Sequence, residues 1–115
     1  MTVHGQHYWA SRFAADAAQL EQRRQAGLNQ AHAAAAALRQ TWPEIEAIHL
    51  FGSVLDERFR DHSDLDLLVE GLPAAASNDA IDLAETSDPL PDDLKRREDF
   101  GDDLAEPLLR CSQTL

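Results

Sequence analysis

The chain has 115 residues, room for one compact domain with a modest core but not for two, so a single active site is the most to look for. Its 21 acidic and 10 basic residues leave a formal charge of -11. That balance excludes a surface built to grip bulk nucleic acid and favours a basic protein or a metal-bound nucleotide as partner. The lone Cys111 excludes an internal disulfide. No run approaches the roughly 20 apolar residues of a membrane span, and the N-terminus has no basic segment followed by a long apolar core. A globular cytoplasmic domain without membrane association is therefore expected, in keeping with the 43% hydrophobic content.

From Tyr8 to Gln40 the sequence is rich in Ala, Gln, Leu and Arg, and Gly27 and Asn29 are the natural interruptions, which predicts two helices. Trp9, Phe13, Ala17 and Leu20 share a face of the first; Leu28, Ala31, Ala35, Leu38 and Trp42 form the stripe of the second. The second stripe is expected to cover the domain's own sheet. The first would serve the core, a partner chain or a second copy equally well, allowing a homo-oligomer through these helices. Residues 1–42 are thus an N-terminal helical segment and 43–115 the core of a single domain.

Pro43 closes the helical region, and Ile45 to Phe51 reads as a strand ending at a glycine. Ser53, with Asp56 three residues on, predicts a short helix running toward Arg60. After the polar turn "RDHS", Asp64 to Val69 is a second strand, ended by "EGLP". Ala75 to Thr86 has helical spacing, "SDPLP" breaks it, and a polar strand around Asp93 to Arg97 follows. "FGDDLAEPLLR" closes the chain as a short helix with Pro107 inside it. The class is α+β: a small mixed sheet of about three strands flanked by helices, with an N-terminal helical extension.

The chemistry is concentrated in "HLFGSVLDERFRDHSDLDLLVEGL", His49 to Leu72. Side chains alternate along a strand, so Asp64 and Asp66 share one face while Leu65 and Leu67 share the other. Two carboxylates held side by side raise each other's proton affinity unless a cation lies between them, and magnesium prefers such oxygen donors. Gly52 and Ser53, at the exit of the first strand, offer backbone N–H groups with no bulky side chain to block a phosphate. Together these groups would hold a nucleoside triphosphate and its magnesium.

An apolar strand, Gly-Ser, ten residues and then Ser-Asp-Leu-Asp-Leu-Leu-Val resembles the signature of the DNA polymerase beta-like nucleotidyltransferase superfamily. More narrowly it resembles the minimal nucleotidyltransferases, many of which act as antitoxins beside a HEPN-domain toxin. The resemblance implies the corresponding fold, magnesium at Asp64, Asp66 and a third acid, phosphate held at Gly52 and Ser53, and ATP as donor. It also implies a tyrosine of the HEPN partner as acceptor, adenylylated to silence the toxin. The third acid of the family lies on a following strand. Asp82, in "AIDLA", matches the local apolar-Asp-apolar triplet; Asp93, in "PLPDDLKRRED", follows a proline-marked break after a connecting helix and is preferred, because a parallel crossover needs such a helix. There Asp92 stands where the family has an apolar residue, and with Lys95 it leaves this strand little to bury, as at a sheet edge. The segment after Gly-Ser departs too, with Val54 and Glu57 where the family often carries Arg and Gly.

The remaining groups divide between chemistry and surface. His4, His7 and His32 have no partner at a metal-ligand spacing, while His62 lies beside the Asp pair in an exposed turn. Arg58 and Arg60 would contact the triphosphate or pair with Asp56, Glu57 or Asp61. Lys95 to Asp99 reads as a solvated face, and Cys111 has no base near it in sequence. Two functions follow: a magnesium-dependent nucleotidyltransferase with Asp64, Asp66 and Asp93 as its catalytic carboxylates, and an antitoxin that neutralises its partner by contact alone. Transfer to a small molecule is the third reading; it usually needs a further domain to cradle the acceptor.

Overall fold

The computed structural model describes residues 3–56, 58–60, 63–84 and 90–115, with side chains from residue 11 onward. The element order is α1 (Val3–Thr41), β1 (Ala47–Phe51), β2 (Leu65–Glu70), α2 (Ser77–Ala84), β3 (Asp92–Arg96), α3 (Asp102–Arg110) and β4 (Gln113–Thr114). The mixed sheet has the order β3-β2-β1-β4. β1 runs antiparallel to both β2 and β4, and β2 runs parallel to β3. A parallel pair cannot be joined by a hairpin, and α2 lies in the crossover. The α+β class agrees with the sequence. The sheet has four strands instead of about three, because β4 is a two-residue strand opposite His49 and Leu50, too short to leave a periodic signal.

One helix replaces the two expected over residues 8–40: α1 runs unbroken for 39 residues. Gly27 does not interrupt it. A Cβ there would lie 2.5 Å from Leu90 Cδ1 and 3.5 Å from Leu65 Cδ2, so the missing side chain is what lets the helix lie close on the sheet. One interior glycine costs about 1 kcal/mol, less than the burial the close approach permits. Ala31, Ala35 and Leu38 face inward onto Ile48 and Leu50 of β1, Leu65, Leu67 and Val69 of β2, and Ala80 and Ala84 of α2 in one continuous core. Each fully buried Leu or Ile contributes about 1.5–3 kcal/mol.

The first expected stripe fares differently. Ser11 to Gln19 are exposed throughout, and Phe13 is 66% exposed. Thirty-nine residues at about 1.5 Å each span about 58 Å, and the molecule is 65 Å long but only 28 by 18 Å across. α1 therefore projects from the domain through Gln19, while Leu20, the last residue of that stripe, already packs against the core. The helix expected from Ala75 to Thr86 begins as a 3-10 turn at Ala74–Ala76 and continues as α2; Glu85 and Thr86 lie outside the described residues. Among those residues no helix is long and apolar enough to cross a membrane.

Candidate active site

Core residues and site residues are separated by the two-residue period of the strands. Leu65, Leu67 and Val69 point to α1, so Asp66, Leu68 and Glu70 occupy the opposite face of β2. On that face the register sets Asp66 against Phe51 of β1 on one side and against Asp93 of β3 on the other. Asp64 immediately precedes β2 and is exposed. The two carboxylates of the expected pair, and Asp93 with them, are therefore gathered at one end of the sheet.

Their closeness is felt at Asp66. Burial, then the charge of Asp93, then that of Asp64 push its carboxyl up to about 6 from an ordinary 3.8, while Lys95 pulls slightly the other way. The ammonium of Lys95 lies 2.7 Å from Asp93 Oδ2. Asp82 is exposed on α2, away from any strand pairing. A third acid on β3 thus has direct strand contact with Asp66, and one on α2 does not.

Gly52 adjoins this group. Its φ is 97°, a region disfavoured for residues with a Cβ, and a Cβ would lie 2.5 Å from Asp66 Oδ2. The backbone at Gly52 is thus in direct contact with the carboxylate. Gly52→Ala is expected to destabilise the domain by about 1–3 kcal/mol and to displace Asp66, so that magnesium-dependent ATP binding falls with the melting temperature. Paired calorimetric and thermal titrations check it, and an alanine variant with unchanged nucleotide affinity contradicts it.

The turn after Gly52 corrects the helix expected from Ser53 toward Arg60. Only one 3-10 turn forms, Ser53–Leu55, and Asp56 ends it in an extended conformation. The Ser53 hydroxyl caps nothing; it donates to Ser63 Oγ at 3.0 Å, and Ser63 Oγ also accepts the Arg60 N–H at 2.9 Å. Val54 is fully buried, and its carbonyl accepts Arg24 Nε of α1 at 2.7 Å. What remains for a phosphate is the half-buried backbone of Gly52 and the Ser53 hydroxyl, without the end of a regular helix behind them.

Asp92 departs from its sequence reading as well. Although β3 is an edge, Asp92 is only 7% exposed. Gln30 of α1 donates to Asp92 Oδ1 at 2.5 Å and to the Leu90 carbonyl at 2.7 Å, and its own carbonyl accepts the Leu90 N–H at 2.9 Å. One amide side chain thereby fixes the start of β3, and with it the position of Asp93. Neither Gln30 nor Arg24 carries any local signal of this role, since both look like ordinary helix-surface residues; Ser63 alone stood inside the motif.

Other sequence candidates are engaged elsewhere. Arg58 forms a close pair with Asp56, with Nη2 2.7 Å from Oδ2. Arg96 donates to the Leu72 carbonyl and pairs with Asp99, and Arg97 pairs with Asp102. His49 sits on the site face, 2.9 Å from Glu70 and 3.3 Å from Thr114. Cys111 is exposed. His62 and Glu57 lie outside the described residues, as do the side chains of His4 and His7.

The chain matches the polymerase beta nucleotidyltransferase family over residues 34–111, from the inner half of α1 to the end of α3. It belongs to that family. A search of curated proteins finds no match. The chain is accordingly a nucleotidyltransferase domain, an α+β unit of polymerase beta-like fold, and such enzymes generally use divalent metals. Among the described residues no three His, Cys, Asp or Glu side chains are gathered closely enough to hold a metal as they stand. In donor chemistry the candidate site fits a hard divalent cation: every candidate ligand is a carboxylate, and beside the burial that dominates the penalty on Asp66, the like charges of Asp93 and Asp64 add a part that a cation removes. Asp93 would have to exchange Lys95 for it.

Proposed function

We propose that this nucleotidyltransferase moves AMP from ATP to a hydroxyl acceptor, with magnesium held by Asp64, Asp66 and Asp93 and the phosphates against Gly52 and Ser53. The observation that carries the reading is the strand register of Asp66 with Asp93 beside a glycine that has no room for a side chain. In the transfer the acceptor oxygen bonds to the α-phosphorus, the bond from that phosphorus to the bridging oxygen breaks, and pyrophosphate leaves. Asp93, more exposed than Asp66, takes the acceptor proton as general base. Gly52 admits phosphate oxygens to the backbone, and the Ser53 hydroxyl turns from Ser63 to donate to them. Magnesium, when bound, supplies neutralisation of the phosphate and carboxylate charges.

The acceptor in this proposal is a tyrosine on a HEPN-domain toxin, which makes the chain its antitoxin. Support for the partner is the family resemblance of His49 to Leu72 together with the acidic balance of the chain, which suits a basic protein surface better than RNA. A second reading, neutralisation by contact alone, is favoured by two observations. The residue after Ser53 is a buried valine, and Lys95 already occupies Asp93.

Incubation with labelled ATP, magnesium and the product of the neighbouring gene tests the choice. The expected result is one adenylyl group on that product, lost in Asp64→Asn plus Asp66→Asn. Complete neutralisation of the partner by this double variant, with no label transferred, overturns the enzymatic reading in favour of contact.

A further inference from the structure

Arg24, Gly27 and Gln30 of α1 stand three residues apart, so each lies about 4.5 Å further along the helix and about 60° further round it than the one before. Gly27 is the seat of the helix on the sheet: the Leu90 side chain fills the space a Cβ there would take, and Leu65 Cδ2 lies 3.5 Å from that point. Arg24 and Gln30 are thereby carried to either side of the seat, and each reaches a different part of the chain.

Arg24 donates from Nε to the carbonyl of Val54, two residues beyond Gly52, at 2.7 Å, while its Nη1 pairs with Glu21 at 3.1 Å. Gln30 donates to the Leu90 carbonyl at 2.7 Å and to Asp92 Oδ1, and accepts the Leu90 N–H at 2.9 Å, immediately ahead of Asp93. Between these two points Leu65 opens β2, one residue before Asp66, and its N–H donates to the Pro91 carbonyl at 2.8 Å. One short stretch of helix thus touches all three chain segments that carry Gly52 with Ser53, Asp66, and Asp93. Two of those segments need the support. The Gly-Ser turn is a single 3-10 turn, and the edge strand β3 turns the carboxylate of Asp92 inward, where it is costly unless donors meet it.

We infer that Arg24 and Gln30 are positioning residues with which α1 braces the site at two points, Arg24 setting the Gly-Ser turn and Gln30 setting Asp93 beside Asp66. That the braced groups take phosphate and metal rests on the transfer reading above. Both residues act through others, Arg24 through Val54 and Gln30 through Leu90 and Asp92. A helix is stiff over two turns, so the two points keep a fixed separation and the halves of the site are aligned by one element. Both residues precede residue 34, where the family match begins; the brace is made by the N-terminal extension.

Calorimetric titration of the full chain with manganese(II) alone, a cation that takes carboxylate oxygens, followed by ATP added to the manganese-loaded protein, reads the two points separately. Gln30→Met is expected to weaken manganese binding about tenfold, as loss of a residue that orients a ligand does. Arg24→Met is expected to leave manganese binding unchanged and to weaken ATP binding about tenfold, with recovery in Arg24→Lys, whose ammonium offers the Val54 carbonyl a donor. Gln30→Asn keeps the amide on a shorter side chain; it should show the Gln30→Met pattern in lesser degree and serves where Gln30→Met does not fold. Loss of both ligands in both variants, in step with melting temperature, overturns the brace, as does unchanged manganese affinity in both Gln30 variants. In the metal-free protein the NMR cross-strand contact between Asp66 and Asp93 should weaken in the Gln30 variants and persist in Arg24→Met; persistence in all of them also overturns the brace. Manganese binding that is absent in the wild type, or equal in Asp64→Asn plus Asp66→Asn, overturns the transfer reading instead, and the metal-free NMR contact then decides the brace.

Discussion

Asp66→Asn is expected to abolish magnesium-dependent nucleotide binding and, in the same protein, to stabilise the metal-free domain at pH 8 by about 1–2 kcal/mol. The two effects have one origin. Asp66 is held between Asp93, Asp64 and the backbone of Gly52, partly out of water, and its carboxyl is pushed up to about 6. An unfolded aspartate gives up its proton near 3.8. Between these values the folded chain binds more protons than the unfolded one, so the metal-free domain loses stability as pH rises through that window and does not regain it above. In full the shift corresponds to about 3 kcal/mol; the carboxyl is only half-buried, and solvent screening leaves about half of that. An asparagine carries no charge and escapes the penalty. Denaturant titrations with a chelator at pH 5 and pH 8 check the stability arm: wild type should be weaker at pH 8 by more than the variant is. Magnesium should restore the wild type at pH 8, leave Asp66→Asn unmoved, and bind the wild type less well below pH about 6, where protons compete for the same oxygens. A variant less stable than wild type at pH 8 contradicts the account.

The strand and face of Asp66 were legible in the sequence because the information they need is local. Alternation of Asp66 with Leu65 and Leu67 sets its face, Gly52 marks the end of the preceding strand, and the apolar runs on either side identify β1 and β2. What escaped is set by residues far along the chain. Gly27 reads as a helix interruption until the Leu90 side chain is known to fill the space a Cβ there would take. Asp92 reads as a polar defect in an edge strand until Gln30, 62 positions away, is found to hold its carboxylate. The helix expected after Ser53 stops at one turn because Asp56 is extended and Ser63 takes the hydroxyl. β4 depends on pairing with His49 and Leu50 across more than sixty residues. Local composition also could not tell that the first apolar stripe of α1 would be exposed at Phe13 yet packed on the core at Leu20, since the stripe is the same whether or not a surface meets it.

The choice of third carboxylate carries the second large effect: Asp93→Ala should lower adenylyl transfer by about 100- to 10,000-fold, the usual range for a lost general base, whereas Asp82→Ala should stay within about twofold. The local triplet Ile81-Asp82-Leu83 resembles the family pattern more closely than Asp92-Asp93-Leu94 does, yet α2 packs by Ala80 and Ala84 and leaves Asp82 exposed. Asp93 gains its place from a parallel partner: its Cα is paired with that of Asp66, and the charge of Asp93 acts directly on the Asp66 carboxyl. The same coupling supplies a readout independent of turnover. Removing the Asp93 charge removes one cause of the raised Asp66 value, so Asp66 in Asp93→Ala should titrate below about 6, and the loss of metal-free stability with rising pH should shrink. Asp82→Ala touches neither. Carboxyl titration followed by NMR across pH 4–8, beside single-turnover transfer, separates the two residues. A large activity loss at Asp82, or an Asp66 titration unmoved by Asp93→Ala, reverses the assignment.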